Sequence, residues 1–291
     1  MITYKKGEWF EISVPSEWEG MTIEQLFRNI WHAPKKLTHS FRIEKQVTVN
    51  HQIANWNVPL HKGERLQIKL FKEEEFGVIP HYIDVEVLFE DDHLLVVNKP
   101  PGLSTHPNSP EQTDSLTNAV AFYLQAKGEW RHVKHIHRLD RETSGVILFA
   151  KHALIGSILD KMLEERKIRR TYVALVQGEI KRKKGIINAP IGRDRHHPTR
   201  RRVSPNGQIA ITHYEVLHTN HQTTKVQCQL ETGRTHQIRV HFSSIGHPLL
   251  GDKLYGDSST FKRLALHAER LEFIHPLTNE IIDVSSKINW Q

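Results

Sequence analysis

Asp140 is the residue around which chemistry could be built. It stands between two arginines in His137-Arg138-Leu139-Asp140-Arg141-Glu142-Thr143-Ser144-Gly145, which runs straight into Val146-Ile147-Leu148-Phe149-Ala150. Turn-forming residues followed by a β-branched and aromatic run predict a loop whose exit is pinned by a buried strand. A loop held in that way can position a reacting carboxylate. Taken by itself, a lone Arg-x-Asp-Arg string reads more readily as surface ion pairs of Asp140 with Arg138 and Arg141.

Other chemistries fit the residues less well. The chain has 21 histidines, and His135-Ile136-His137-Arg138-Leu139-Asp140 comes close to a metallo-hydrolase motif. Its H-x-H-x-x-D spacing is one residue too long, the companion histidine after the acid is missing, and two arginines would repel a divalent cation. No metal is expected. Ser144 lies in E-T-S-G-V without a G-x-S-x-G elbow, and neither a P-loop nor a dinucleotide fingerprint occurs. The single cysteine, Cys228, falls in phase with Val226 and Leu230 as a small core hydrophobe, and it excludes an internal disulfide.

The 291 residues carry 40 Lys and Arg against 33 Asp and Glu, a formal charge of +7. That excess makes a polyanionic partner plausible. No run of about 18 apolar residues occurs, so no membrane-spanning helix is expected. Met1 to Lys6 lacks the apolar core and cleavage site of a secretory signal, which makes the cytoplasm the expected location.

The elements that must position Asp140 can be read in order. Trp9 to Val14 alternates as a strand, and Thr22 and Gln25 form a candidate capping box for a helix with apolar residues at 23, 26, 27 and 30. Lys35 to Ile43 reads as a second, basic helix, followed by strands at Val47–Asn50 and Leu66–Leu70. The charged run Lys72-Glu73-Glu74-Glu75 with Gly77 and Pro80 reads as a linker. Domains are therefore expected at 1–72 and 81–291, joined by 73–80. In the second, Val85 to Val97 reads as a hairpin, closed by the rigid turn Asn98-Lys99-Pro100-Pro101-Gly102, with helices over 115–125 and 154–166. Arg166 to Arg170 leads into the strand Thr171 to Val176, where Tyr172 stands among cations. Basic loops at 181–184 and 193–202 are hydrated loops or phosphate contacts. Val226–Leu230 and Gln237–Phe242 flank a polar turn, and Arg239 is expected to arrive on a strand of its own.

At this point the motifs become specific. H-R-L-D-R-E-T-S-G, preceded by V-V-N-K-P-P-G at 96–102 and followed by R-T-Y-V-A-L-V-Q-G at 170–178 and E-T-G-R-T-H-Q-I-R-V-H at 231–241, resembles the RluA family of pseudouridine synthases. P-I-G-R at 190–193 and H-P-L-L-G-D at 247–252 extend the match over nearly all of 81–291. The first seventy residues resemble the S4 RNA-binding module, although Leu37-Thr38-His39-Ser40 replaces the Ser-Arg that usually opens its second helix.

The resemblance implies an α+β protein. A pseudouridine synthase fold, with a mixed, largely antiparallel sheet, flanking helices and a central cleft, follows a small N-terminal α/β S4-like domain. It implies isomerisation of uridine in structured RNA without cofactor or metal, with large-subunit ribosomal RNA the first expectation and transfer RNA the second. Asp140 matches the family's essential aspartate, which attacks C1′ or assists a glycal route. Arg239 matches the arginine paired with it, and Tyr172 the tyrosine that stacks on the target base. Arg138 matches an arginine that fills the stack when the uridine leaves. Lys99, Arg141, Arg193 and Arg234 are further expected RNA contacts, as are Lys35, Lys36 and Arg42 of the basic helix. Lys99 is also a candidate brace for the cleft. A monomer is expected, and the rival reading is a non-catalytic RNA-binding or ribosome-assembly factor that keeps the fold.

Overall fold

The structure, a computed structural model, describes residues 2–256, 261–288 and 290. The chain opens with β1 (Thr3–Lys6) and β2 (Trp9–Ser13). A short helix α1 (Ile23–Gln25) carries the capping box: Gln25 N–H donates to Thr22 Oγ1 (3.2 Å) and Thr22 N–H to Gln25 Oε1 (2.9 Å). It runs on as a π turn to Ile30 that buries Leu26 and Phe27. Then follow α2 (Lys35–Ile43), β3 (Val47–Val49), β4 (Gln52–Ile53) and β5 (Arg65–Lys69). The strands pair in the order β1-β2-β5-β3-β4, and Phe27, Trp31, Phe41 and Trp56 pack into one core with Phe10 and Ile12.

Residues 73–80 hold no regular element but lie along the second unit. Phe76 is buried beside Trp130, Glu74 N–H donates to the Trp130 carbonyl (2.8 Å), and the Ile79 carbonyl accepts from Asn118 Nδ2 (2.8 Å).

The second unit begins with β6 (Glu86–Glu90), β7 (Leu94–Lys99), α3 (Leu116–Ala126), β8 (Lys134–His135), β9 (Ser144–Ala150), α4 (Ala153–Glu164) and β10 (Arg169–Gln177). After these come β11 (Lys184–Asn188), the small hairpin β12 (Ile191–Arg193) and β13 (Arg201–Val203), then β14 (Ile211–Thr219) and β15 (Thr223–Leu230). The chain ends with α5 (Gln237–Ser244), β16 (Leu266–Ile274) and β17 (Ile281–Ser285). A mixed sheet runs β11-β14-β15-β10-β16-β9-β7-β6, with β17 on β16 and β8 on β9. Its pairs are antiparallel except β16 with β9.

Residues 94–97 of β7 and 146–150 of β9 are apolar without a break because both their faces are covered. Leu94 and Val96 of β7 and Val146, Leu148 and Ala150 of β9 face α4 and the N-terminal core. Leu95, Val97, Ile147 and Phe149 face the other way, toward α3, Tyr172, Cys228 and Ile238 and Phe242 of α5. Alternation along one strand thus separates a buried structural face from the face that carries the site.

The expected strand for Arg239 is a helix. Every residue from Gln237 to Phe242 is buried, so Ile238, Val240 and Phe242 imitate a period of two although the backbone is α5. A helix enclosed on all sides gives no polar stripe by which to recognise it.

Candidate active site

The loop that carries Asp140 is fastened at several points. Leu139 N–H donates to Thr105 Oγ1 (3.1 Å), and the Thr105 hydroxyl donates to the Leu139 carbonyl (2.9 Å). Gly102 N–H donates to the Arg141 carbonyl (2.9 Å), and Arg141 Nε returns a bond to the Gly102 carbonyl (2.8 Å). Lys99 donates from Nζ to the carbonyls of Pro100 (2.9 Å), Leu103 (2.7 Å) and Arg141 (2.9 Å). Its side chain is fully buried, and burial pushes its pKa down to about 8 against the raising influence of Glu142 and Asp140. Lys99 is therefore a brace, and the expectation that it contacts RNA is withdrawn, because an ammonium enclosed by three carbonyls cannot reach a phosphate.

The loop leaves through Gly145, whose φ of +117° is closed to side-chain-bearing residues. There β9 meets β16 so closely that a Cβ would lie 2.1 Å from the Ala268 carbonyl oxygen. His137 is buried, and its Nε2 accepts the Leu148 N–H (3.3 Å). Burial, helped by Arg170 and His135, lowers its pKa to about 3, so it stays neutral. His135 instead stacks on His106, with ring centroids 4.9 Å apart. The two histidines of the near-metal motif do not converge, and no group of three metal-ligating side chains occurs among the described residues.

Arg239 reaches Asp140 from α5, donating from Nη1 to Oδ2 at 3.1 Å. Two more of its donors go to buried Asp252, Nε to Oδ2 (2.8 Å) and Nη2 to Oδ1 (2.8 Å). This is a bidentate fork, the geometry that fixes a guanidinium in one orientation. Burial works against the Arg239 cation, but Asp252 and Asp140 outweigh it and raise its pKa. Asp252 is itself set by the backbone N–H groups of Leu254 (3.0 Å) and Tyr255 (3.2 Å).

Tyr172 comes from β10, where the register on β16 slips between Thr171, opposite Arg270, and Tyr172, opposite Ala268. Bulges of this kind re-aim side chains beside functional sites. The residue is buried, and burial, with Asp140, raises its phenol pKa against the influence of Arg170. Asp140, Tyr172 and Arg239 line one cleft of about 610 Å³, together with Arg138, Arg170, Arg234 and His236.

The other expected contacts divide. Arg138 is exposed at the cleft, and Arg234 lines it while donating from Nε to the Ile209 carbonyl (3.0 Å). Arg193 is exposed on the β12–β13 hairpin, away from the cleft lining, and Arg141 is exposed beside the loop it braces. Lys35 and Lys36 are exposed at the start of α2. Arg42 is exposed but pairs with Glu24 and lies 4.8 Å from the centre of the Trp56 ring, so its charge is partly committed within the module. Sequence reading passed over Asp252, His236 and Tyr255. The first two lie inside quoted motifs, but only the fold shows which side chains turn toward Asp140.

Comparison with known proteins gives a consistent result. Residues 93–244 match the family described as RNA pseudouridylate synthase, and residues 10–66 match the RluD ribosomal pseudouridine synthase N-terminal domain. The chain is 46% identical over 281 residues to a Bacillus subtilis (strain 168) protein described as uncharacterized RNA pseudouridine synthase YhcT, covering 96% of this chain and 93% of that one. It is 36% identical over 286 residues to ribosomal large subunit pseudouridine synthase D of Nitrosomonas europaea, covering 94% and 82%. Among solved structures, human RNA pseudouridylate synthase domain containing 1 aligns with a TM-score of 0.60 at 25% identity, over 70% of this chain and 84% of that one.

Proposed function

Because the chain belongs to the RNA pseudouridylate synthase family, as an RluA-type member with an N-terminal domain, it isomerises uridine in RNA, and we propose that this uridine lies in large-subunit ribosomal RNA. The target is supported by the likeness to relatives described as ribosomal large subunit pseudouridine synthase D. We read the N-terminal unit as an S4-like RNA-binding domain ending near residue 72, with Lys35 and Lys36 facing the phosphates, and the enzyme as a cytoplasmic monomer. No helix among the described residues is long and apolar enough to cross a membrane.

The observation that carries the site assignment is the Asp140 carboxylate, held by Arg239 in the same cleft as the buried Tyr172 ring. In the reaction the C1′–N1 bond breaks, the base turns over, C5 bonds to C1′, and the C5 proton is lost while N1 gains one. Asp140 acts at the sugar, and Arg239 fixes its position. Tyr172 stacks on the detached base, a contact worth roughly 1–3 kcal/mol. Exposed Arg138 fills the gap in the RNA stack, offsetting part of the few kcal/mol that flipping costs.

Purified protein is expected to release tritium from [5-³H]uridine in large-subunit ribosomal RNA, and Asp140→Asn to abolish release without loss of RNA binding. Wild-type release by the variant would remove Asp140 from its role. Mapping pseudouridines in RNA from cells with and without the gene tests the target. A missing site in transfer RNA beside intact ribosomal sites would move the assignment to transfer RNA.

A further inference from the structure

His236 is the N-cap of α5 and one of few non-glycine residues held in the left-handed region, at φ +58° and ψ 21°. Such conformations persist where the surroundings enforce them, and they gather at functional sites. The ring of His236 is held by Tyr255, whose hydroxyl lies 2.8 Å from Nδ1. The same hydroxyl oxygen accepts the Arg201 N–H at 2.7 Å. A phenolic oxygen that accepts from Arg201 N–H keeps its own proton to donate, and His236 Nδ1 lies at hydrogen-bond distance as an acceptor for it. In the tautomer that uses this donor, Nδ1 is the acceptor of the imidazole and Nε2 carries the proton.

That Nε2–H faces the reacting group. It lies 3.8 Å from Asp140 Oδ2, too far for a hydrogen bond, and has no hydrogen-bond partner among the described residues. The ring lines the cleft beside Tyr172 and Arg239. Arg239 is oriented by the two carboxylates, with Nε and Nη2 turned to Asp252 and Nη1 to Asp140. The reaction creates a need for a donor. When C1′–N1 breaks, the bonding pair leaves with the base, and negative charge spreads onto the uracil carbonyl oxygens.

We propose that His236 is a further catalytic residue, whose Nε2–H donates to the carbonyl oxygen of the detached uracil and stabilises its negative charge, with Tyr255 as the positioning residue that fixes the tautomer. No proton changes owner in this role, since a neutral imidazole acts as a fixed donor aimed where charge develops. Burial, with Arg239 and Arg201, holds the His236 pKa below its usual value against the pull of Asp140 and Asp252, which keeps that neutral form in place.

The inference rests on Asp140 being the reacting group, so the test begins from an enzyme whose tritium release depends on Asp140. The substrate is [5-³H]uridine-labelled total RNA from cells lacking the gene, which makes the test independent of the target RNA. Single-turnover rates and RNA affinities are measured for His236→Gln, His236→Asn, His236→Ala and Tyr255→Phe. Gln places an amide donor near the Nε2 position, whereas Asn tolerates the left-handed backbone better but is too short to reach. Loss of one such donor slows the chemical step by about 10²-fold. The expected pattern is therefore a loss near that size for Asn and Ala, a rate within about 10-fold of wild type for Gln, a smaller loss for Tyr255→Phe, and unchanged RNA affinity throughout. Full activity of His236→Asn, or a loss of affinity equal to the loss of rate, would overturn the proposal. An inactive Asp140→Asn beside fully active His236 variants would overturn it while leaving the assigned reaction intact.

Discussion

At the scale of single residues, the site depends on one guanidinium that serves two carboxylates. Asp252 takes the fork of Arg239 and leaves Nη1 for Asp140, so the direction of that last donor is set by a residue with no expected contact to substrate. Arg239→Lys retains the charge but cannot span both acids. It is expected to lower the single-turnover rate by about 10²-fold, the cost of a misplaced reacting group, with RNA affinity retained. A rate equal to wild type would show that charge alone suffices. Tyr172 permits a sharper division. Its ring supplies stacking and its phenol is held protonated by burial, so Tyr172→Phe is expected to bind RNA as wild type does, while Tyr172→Ala loses roughly 1–3 kcal/mol of binding to the flipped base. Titration of both variants with a target-containing RNA checks this, and equal losses would remove the stacking role.

At the scale of elements, the loop before β9 is held by the turn after β7. Asn98-Lys99-Pro100-Pro101-Gly102 sends an ammonium and a backbone N–H into the loop and receives Arg141 Nε in return. The two motifs, some forty residues apart in sequence, form one structural clamp. Gly145 marks where it closes, paired with Lys99 on β7 and with Ala268 on β16. Gly145→Ala combines a forbidden φ with a Cβ 2.1 Å from a carbonyl oxygen. It is expected to cost at least about 3 kcal/mol of folding stability, read as a lower urea midpoint. An unchanged midpoint would mean that β9 and β16 can separate without consequence.

At the scale of the whole molecule, the N-terminal unit shares its apolar core with one face of the large sheet. At that junction Phe10 and Phe71 pack against His93, which contacts His152 and His275 in turn. His93 Nδ1 lies 3.0 Å from His152 Nε2, and His152 Nδ1 accepts the Ile155 N–H at the start of α4. Burial lowers the pKa of His93 to about 4 and that of His152 well below 6.5. The unfolded chain binds protons at these positions below about pH 6.5 while the folded chain refuses them, so the unfolded state holds more protons in that window. Stability is therefore intact above pH 6.5 and falls as pH drops toward 4, by up to about 1.4 kcal/mol per pH unit for each such histidine. Thermal melts from pH 7.5 to 4.5 should show this decline, and His152→Asn, which keeps a capping acceptor, should reduce its slope. A slope unaffected by the variant would place the acid sensitivity elsewhere.

Much of this was legible before folding. The capping box at Thr22, the basic helix at Lys35–Ile43, the β6–β7 hairpin, the strand that holds Tyr172 and the loop that holds Asp140 each follow from local rules of spacing, turn chemistry and alternation. Those rules act over a few residues, and the sequence alone determined them. It also carried the motifs that give the family and the reaction. What the tertiary structure decided is which distant groups meet. It put Arg239 on an enclosed helix, withdrew Lys99 from solvent, bound Asp252 to Arg239 and turned the His236 donor toward Asp140. These outcomes depend on burial and on pairings between residues up to about a hundred positions apart. In such contacts desolvation drives most buried polar groups to find partners, and no local pattern records which partner that is.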